Sequence, residues 1–323
     1  MGTLFSVGTY WVVALQGLGD WLSLPMKFFT FLGTEEFFLL ILPVLYWCVD
    51  ASLGLRVGVI LLFSDCLNGS LKLAFHGPRP YWVSAGVKPM AAETSFGVPS
   101  GHAQTAASVW GTMAARLRKT WAWIVAGVII FLIGLSRIYL GVHFPHDVLA
   151  GWLIGGVLLW AFLGCWEPLA AWLKRLSSGR QVLVALGVSL GFILLGGLAR
   201  LGLQGYVVPE AWMANAARGG GELPAPVSMS GVVSSAGVLF GLAVGVIWLA
   251  HRGGFNASGK IWKRIVRYPV GLIGIMLLWY GLGEVFPRGE MLLPFILRYL
   301  RYALVGLWLS GCAPWIFMKL KLS

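Results

Sequence analysis

Apolar runs of about 20 residues recur along the whole chain, and that repetition limits what it can fold into. A helix needs roughly 20 mostly apolar residues to cross a bilayer core. Within that core every backbone polar group must find its partner in the same helix or in a closed barrel. The runs lack the ten-residue alternation of a barrel strand, so the sequence predicts an all-α integral membrane protein. Composition agrees. Of 323 residues, 58% are hydrophobic and only 11% are charged, and mean hydropathy is +0.82. A soluble domain carries about 25% charged residues.

About nine transmembrane helices are expected, over 35–49, 54–75, 102–115, 120–140, 147–166, 182–200, 229–250, 267–286 and 292–316. Residues 1–34 mix apolar and polar residues with Pro25 and read as an interfacial or re-entrant segment. The rest divides into a core over 35–166, where the ionisable residues gather, and about four additional helices over 167–323. The connection 201–228 holds Gly219-Gly220-Gly221 with Pro209, Pro224 and Pro226, and cannot be a regular span.

A net charge of +12 points to nucleic acid only where the basic residues form a soluble patch. Here they sit in short loops between apolar runs, where they set orientation instead. Loops on one side, with the C-terminus, carry fourteen Lys and Arg; loops on the other carry seven, leaving aside Lys72, Arg79 and Arg137. The richer side is therefore expected in the cytoplasm. The four cysteines each fall in an apolar run without metal-ligand spacing and read as small buried hydrophobes.

On the poorer, extracytoplasmic side, residues 136–147 place Arg137, His143, His146 and Asp147 in one short stretch between two apolar runs. Ionisable groups at a membrane helix end are costly and functional by default. His143 and Asp147 are four apart, so on a helix starting near Pro145 they face each other across one turn. A carboxylate behind a histidine fixes its tautomer. Two further segments reach the same face: Lys72 to Pro80, with Arg79, and Pro99-Ser100-Gly101-His102. Three cations beside a helix N-terminus, where the backbone N–H groups of Ser100 and Gly101 are free, form a polyanion site. A phosphoryl group in transit fits it, its charge being spread over three equatorial oxygens. One histidine would attack phosphorus and the other protonate the departing oxygen. With no acidic pair to hold Mg²⁺ or Zn²⁺, a metal-free reaction without a cofactor is expected.

These three segments resemble the signature of the type 2 phosphatidic acid phosphatases, which share a fold with vanadium haloperoxidases. Lys-x6-Arg-Pro, Pro-Ser-Gly-His and Ser-Arg-x5-His-x3-Asp are filled, in order, by Lys72, Arg79-Pro80, Pro99 to His102, Ser136-Arg137, His143 and Asp147. The resemblance implies that Lys72, Arg79, Ser100, Gly101 and Arg137 bind phosphate. It makes His143 the nucleophile of a phosphohistidine intermediate, His102 the general acid and Asp147 the group that orients His143. The surroundings are also similar to the glucose-6-phosphatase catalytic subunit, through Asp65-Cys-Leu-Asn68, Arg79-Pro-Tyr-Trp82, Glu93-Thr and His143-Phe-Pro-His146. Asp147 departs from that branch and agrees with the lipid-phosphatase pattern.

The expected substrate is therefore a phosphorylated lipid or polyprenyl (di)phosphate, with a small sugar phosphate as the alternative. Membrane lipids are the expected partners, and nucleic acid is not. A non-catalytic phosphate or lipid transporter would need the three cations but not both histidines; a haloperoxidase is disfavoured in a membrane chain. His146 is expected beside the site, and Asp65, two turns before Lys72, to pair with that lysine or with a polar neighbour.

Overall fold

The computed structural model describes residues 2–322 and is helical throughout, with no strand among them. In chain order the helices are α1 (Thr3–Gln16), α2 (Ser23–Phe31), α3 (Glu35–Pro43), α4 (Ala51–Phe75), the short α5 (Pro80–Val83), α6 (Gly101–Leu117), α7 (Thr120–Tyr139) and α8 (Pro145–Lys174). There follow α9 (Ser178–Leu201), α10 (Glu210–Gly219), α11 (Ser230–Ala250), α12 (Ile261–Met276), the short α13 (Leu282–Val285), α14 (Leu292–Leu307) and α15 (Ala313–Lys319). Wide π-helical turns continue α3 over Val44–Val49 and join α12 to α13 and α14 to α15.

All nine expected helices are present, but fewer qualify as spans. Among the described residues seven helices are long and apolar enough to cross a membrane. An eighth is formed if the pair Asp20–Phe31 and Glu35–Val49, bent by 49°, counts as one. The helix expected over 102–115 is α6, which has only 17 residues and is rich in Ala, Ser, Thr and Gly. Its composition suits burial against protein, and ten of its residues are buried.

The chain forms two compact units. The first comprises the residues up to Phe38, Leu67–Trp160 and Gly196–Ser228. Here α6 and α2 both pack on α7, which buries Ala122, Ala126, Ile133 and Arg137 along one side. Against α6 lies α8, at backbone contact. A Cβ on Gly151 would sit 2.6 Å from the Ser100 carbonyl oxygen, and one on Gly155 closer still to that of Gln104. Glycines four apart permit this approach between membrane helices. The 201–228 connection belongs to this unit and carries α10, which packs on α5.

The second unit comprises Leu39–Cys66, Ala161–Leu195 and the residues from Met229 onward. Its centre is the pair α11 and α14, brought close by Gly237, Gly241 and Gly245 on α11. Arg267, counted from sequence with the loop cations, is buried in α12. Its guanidinium donates to the carbonyls of Trp47, Ala257, Ser258 and Leu322. The helix expected over 147–166 runs on to Lys174. Glu167, just past the expected end, is ion-paired with Arg56 at 2.5 Å, and Arg56 lies over the Trp166 ring.

Candidate active site

Every signature residue from Lys72 to Asp147 lies in the first unit, at helix ends. Lys72 is in the last turn of α4. Pro80 opens α5, which leaves Arg79 as its extended N-cap residue. Ser100 caps α6, its Oγ accepting from the Ala103 N–H. Arg137 is in the last turn of α7, and α8 begins at Pro145, where a missing N–H costs nothing. His143 lies on the connection between them. The Ser100 N–H, expected to be free for an anion, instead donates to the Asp147 carbonyl at 3.0 Å and ties the start of α6 to the start of α8.

Arg79 is fully buried and organises the cluster. Its Nε donates to the Ser95 carbonyl at 2.6 Å and Nη1 to the Val142 carbonyl at 2.9 Å. Its Nη2 reaches Glu93 Oε2 at 2.8 Å, Ser95 Oγ at 3.1 Å and the Phe96 carbonyl at 3.2 Å. Nη1 also lies 3.3 Å from His143 Nε2. The other ring nitrogen, Nδ1, lies 3.3 Å from Asp147 Oδ2, and that oxygen accepts the Phe144 N–H at 2.8 Å. With the proton on Nδ1, Nε2 keeps its lone pair and faces the guanidinium. Lys72 Nζ donates to Ser95 Oγ at 2.9 Å, and Asp65 sits half-buried two turns earlier on α4.

Arg137 donates Nη1 to Thr30 Oγ1 at 2.7 Å and Nη2 to Glu93 Oε1, while its Nε is buried without a partner. His102 Nε2 is likewise buried and unpartnered. His146 stacks on Phe144 and brings Nε2 to 3.3 Å from Asp147 Oδ1, so it lies behind the carboxylate that faces His143.

Three cations, Lys72, Arg79 and Arg137, outnumber the two carboxylates, Glu93 and Asp147, so the cluster keeps an excess of positive charge for an anion. Burial alone would raise the Glu93 carboxyl, but Arg79, Arg137 and Lys72 together hold it well below the usual carboxylate range. Burial, and then the charges of Arg79, Arg137 and Lys72, push His143 well below the ordinary histidine value. The imidazole is therefore neutral at pH 7 with its lone pair available. Because the folded-state value is lowered, this contribution to stability is present above about pH 6.5 and is lost as pH falls below it. An NMR pH titration is expected to place the His143 midpoint well below pH 6.5. A midpoint at or above about 6.5 would contradict a neutral buried ring.

Glu93, Ser95 and Thr30 complete the cluster, and sequence reasoning did not rank them as site residues. Thr30 comes from α2, in the segment expected to be interfacial. Glu93 left one signal: it is the only acidic residue between Asp65 and Asp147. Its loop is held from outside as well. The Tyr81 hydroxyl donates to the Glu93 carbonyl, and the Ala225 N–H donates to that of Thr94 at 3.1 Å.

Comparison with known proteins places these residues in context. A model described as PAP2 superfamily matches residues 53–171, and one described as PAP2 superfamily phosphatase, transmembrane extension, matches 233–323. Glucose-6-phosphatase 3 of Homo sapiens is 33% identical over 185 residues, covering 50% of this chain and 53% of that protein. Phosphatidylglycerophosphatase B of Bacillus subtilis is 33% identical over 157 residues, covering 45% of this chain and 75% of that protein. The chain thus spans about half the length of the glucose-6-phosphatase 3 proteins it matches. Among solved structures, the transmembrane PAP2-type phosphatidylglycerolphosphate phosphatase from Bacillus subtilis has a TM-score of 0.47 and 30% identity, covering 52% of this chain and 88% of that one.

Proposed function

The chain belongs to the PAP2 superfamily, and from that we propose a membrane phosphatase that hydrolyses phosphomonoesters through a phosphohistidine on His143. The observation that carries this reading is the histidine pair: His143 with Nε2 turned to Arg79 Nη1 and Nδ1 on Asp147, and His102 Nε2 buried with no partner. In the first step the Nε2 lone pair forms the N–P bond as the P–O bond breaks. His102 donates its proton to the leaving alkoxide, and Lys72, Arg79 and Arg137 neutralise the phosphoryl oxygens. In the second, water attacks the phosphohistidine and gives a proton to His102, releasing phosphate and restoring His143. A binding protein without chemistry would need the cations but not two histidines so disposed.

Glu93 takes its place in this scheme as an internal counter-ion. Its two carboxylate oxygens engage Arg79 and Arg137 as two phosphoryl oxygens would, so substrate competes with it. Glu93→Gln keeps the shape and removes the charge. It is expected to tighten inhibition by vanadate, a mimic of five-coordinate phosphorus, about tenfold, equivalent to roughly 1.4 kcal/mol. Unchanged or weaker vanadate inhibition would exclude that role.

For the substrate, we favour a lipid phosphate or polyprenyl (di)phosphate. Asp147 fits the lipid-phosphatase pattern, and the match to phosphatidylglycerophosphatase B extends over three quarters of that protein. A sugar phosphate has its own support. A polar cavity of about 670 Å³, lined by residues including Lys27, Lys88, Met90, Ala92 and Glu222, adjoins the Glu93 loop and would suit a hydrophilic leaving group. The distribution of basic residues supports an extracytoplasmic site. Phosphate release from a short-chain phosphatidic acid and from glucose 6-phosphate, in one detergent, tests the choice. Faster release from the lipid by an order of magnitude or more is expected, and the reverse preference would assign the sugar.

A further inference from the structure

A second basic cluster lies in the other unit, at α13 and α14. The seven cations of the poorer side include Arg288, Arg298 and Arg301, although the last two fall within the helix expected over 292–316. Arg298 and Arg301 are one turn apart on α14, which opens the candidate span Leu292–Lys319. Arg301 is nine residues past Leu292, about 14 Å along a helix that rises 1.5 Å per residue. An exposed apolar stripe, Leu293, Ile296, Leu300 and Leu304, marks another face of α14 as the one for lipid tails.

The arginines instead line a cavity of about 390 Å³, with Trp279, Gly283 and Glu284 among its walls. Three guanidiniums and one carboxylate leave it at +2, and that carboxylate faces Arg288 at 3.5 Å. Arg298 donates one N–H, from Nη1, to Ser234 Oγ at 3.2 Å. Arg301 makes no hydrogen bond or ion pair among the described residues. Its Nε is buried without a partner, and its guanidinium rests 4.9 Å from the centre of the Tyr302 ring. Gly283 makes room for it: a Cβ there would lie 2.5 Å from Arg301 Nη1.

A guanidinium offers five N–H donors in a planar fork. Within a membrane span such a group pairs with an anion or lines a functional site, because leaving it unpaired in apolar surroundings is costly. Phosphate oxygens match the fork in pairs, and basic pockets between membrane helices suit lipid headgroups. Trp279, whose Nε1 donates to the Tyr302 hydroxyl at 3.3 Å, is an aromatic of the kind found at headgroup level. We propose that Arg298 and Arg301, with Arg288 at the rim, bind a phosphate-type anion, the phosphodiester of an acidic lipid headgroup or free phosphate, at a site built from none of the residues of the catalytic cluster.

The test is thermal unfolding of the full chain in detergent with added phosphatidylglycerol, phosphatidylcholine or inorganic phosphate, together with native mass spectrometry of retained lipid. Stabilisation of the wild type by phosphatidylglycerol over phosphatidylcholine is expected, with lipid retention weakened about tenfold or more in Arg298→Gln/Arg301→Gln and partly kept in Arg298→Lys/Arg301→Lys. Stabilisation by inorganic phosphate that is lost in the Gln variant would assign the free anion instead. Arg288→Glu changes an exposed side chain and covers the case in which the double variant fails to fold; it too is expected to weaken retention. Absence of any anion-dependent effect in the wild type, or an equal effect in all variants, would overturn the proposal.

Discussion

Replacing His143 with Ala is expected to reduce kcat by at least about 10⁴-fold, the scale on which enzymes lose a covalent nucleophile. It is also expected to remove an alkali-stable, acid-labile phosphoprotein otherwise trapped by quenching turnover in base. The fold should withstand the change. Arg79 loses the contact at 3.3 Å but keeps Ser95, Val142, Glu93 and Phe96, so the cluster stays satisfied around the gap. An unchanged unfolding temperature beside the lost turnover would separate chemistry from stability. Near-normal turnover in this variant would mean that water attacks phosphorus directly, and the two-step scheme would fail.

The second large effect is expected at Asp147. Asparagine fills the same space, but Oδ2 serves both His143 Nδ1 and the Phe144 N–H, so an amide N–H placed there gives up the Phe144 bond and favours the tautomer with its proton on Nε2. That tautomer has no lone pair where phosphorus must be attacked. The corresponding change in the serine-protease triad costs about 10⁴-fold. Here the longer, 3.3 Å contact between His143 Nδ1 and Asp147 Oδ2 supports a loss of roughly 10³–10⁴-fold in kcat with little change in KM. Rate measurements on Asp147→Asn decide it. A loss below about tenfold would show that an amide oxygen in place of Oδ2 keeps the proton on Nδ1 and that the negative charge is not required.

Much of this was legible in the sequence, because helix ends leave strong local marks. Pro145 at the start of α8, Ser100 as the cap of α6 and Arg137 at the end of α7 each carry a residue type suited to that position, at fixed spacing from the chemistry. What escaped notice comes from loops and long-range contacts. Glu93 and Ser95 lie on a segment with no periodicity, and Thr30 meets Arg137 from more than a hundred residues away. Charges misled in a consistent way. Glu167 follows the run expected to end at 166 and Arg267 opens the one expected from 267, yet both lie inside helices, and Arg301, tallied with the loop cations, lies inside the helix expected over 292–316. Glu167 is reached by Arg56, and carbonyl oxygens satisfy Arg267, neither of which a local pattern can show. The expected count of nine was high by the strict measure because α6 earns its burial from small residues rather than from greasy ones.

The contact between α6 and α8 has a mechanical consequence. Gly151 and Gly155 set the two backbones directly against each other, and the Ser100–Asp147 bond pins their starts together. His102 and Asp147 therefore ride on one stiff anvil whose parts cannot shift independently. The strap that carries Glu93 and Ser95 has no such backing: it is held over the site by hydrogen bonds to Lys72, Arg79, Arg137, Tyr81 and Ala225, so its position depends on the same cations that would meet a phosphoryl group.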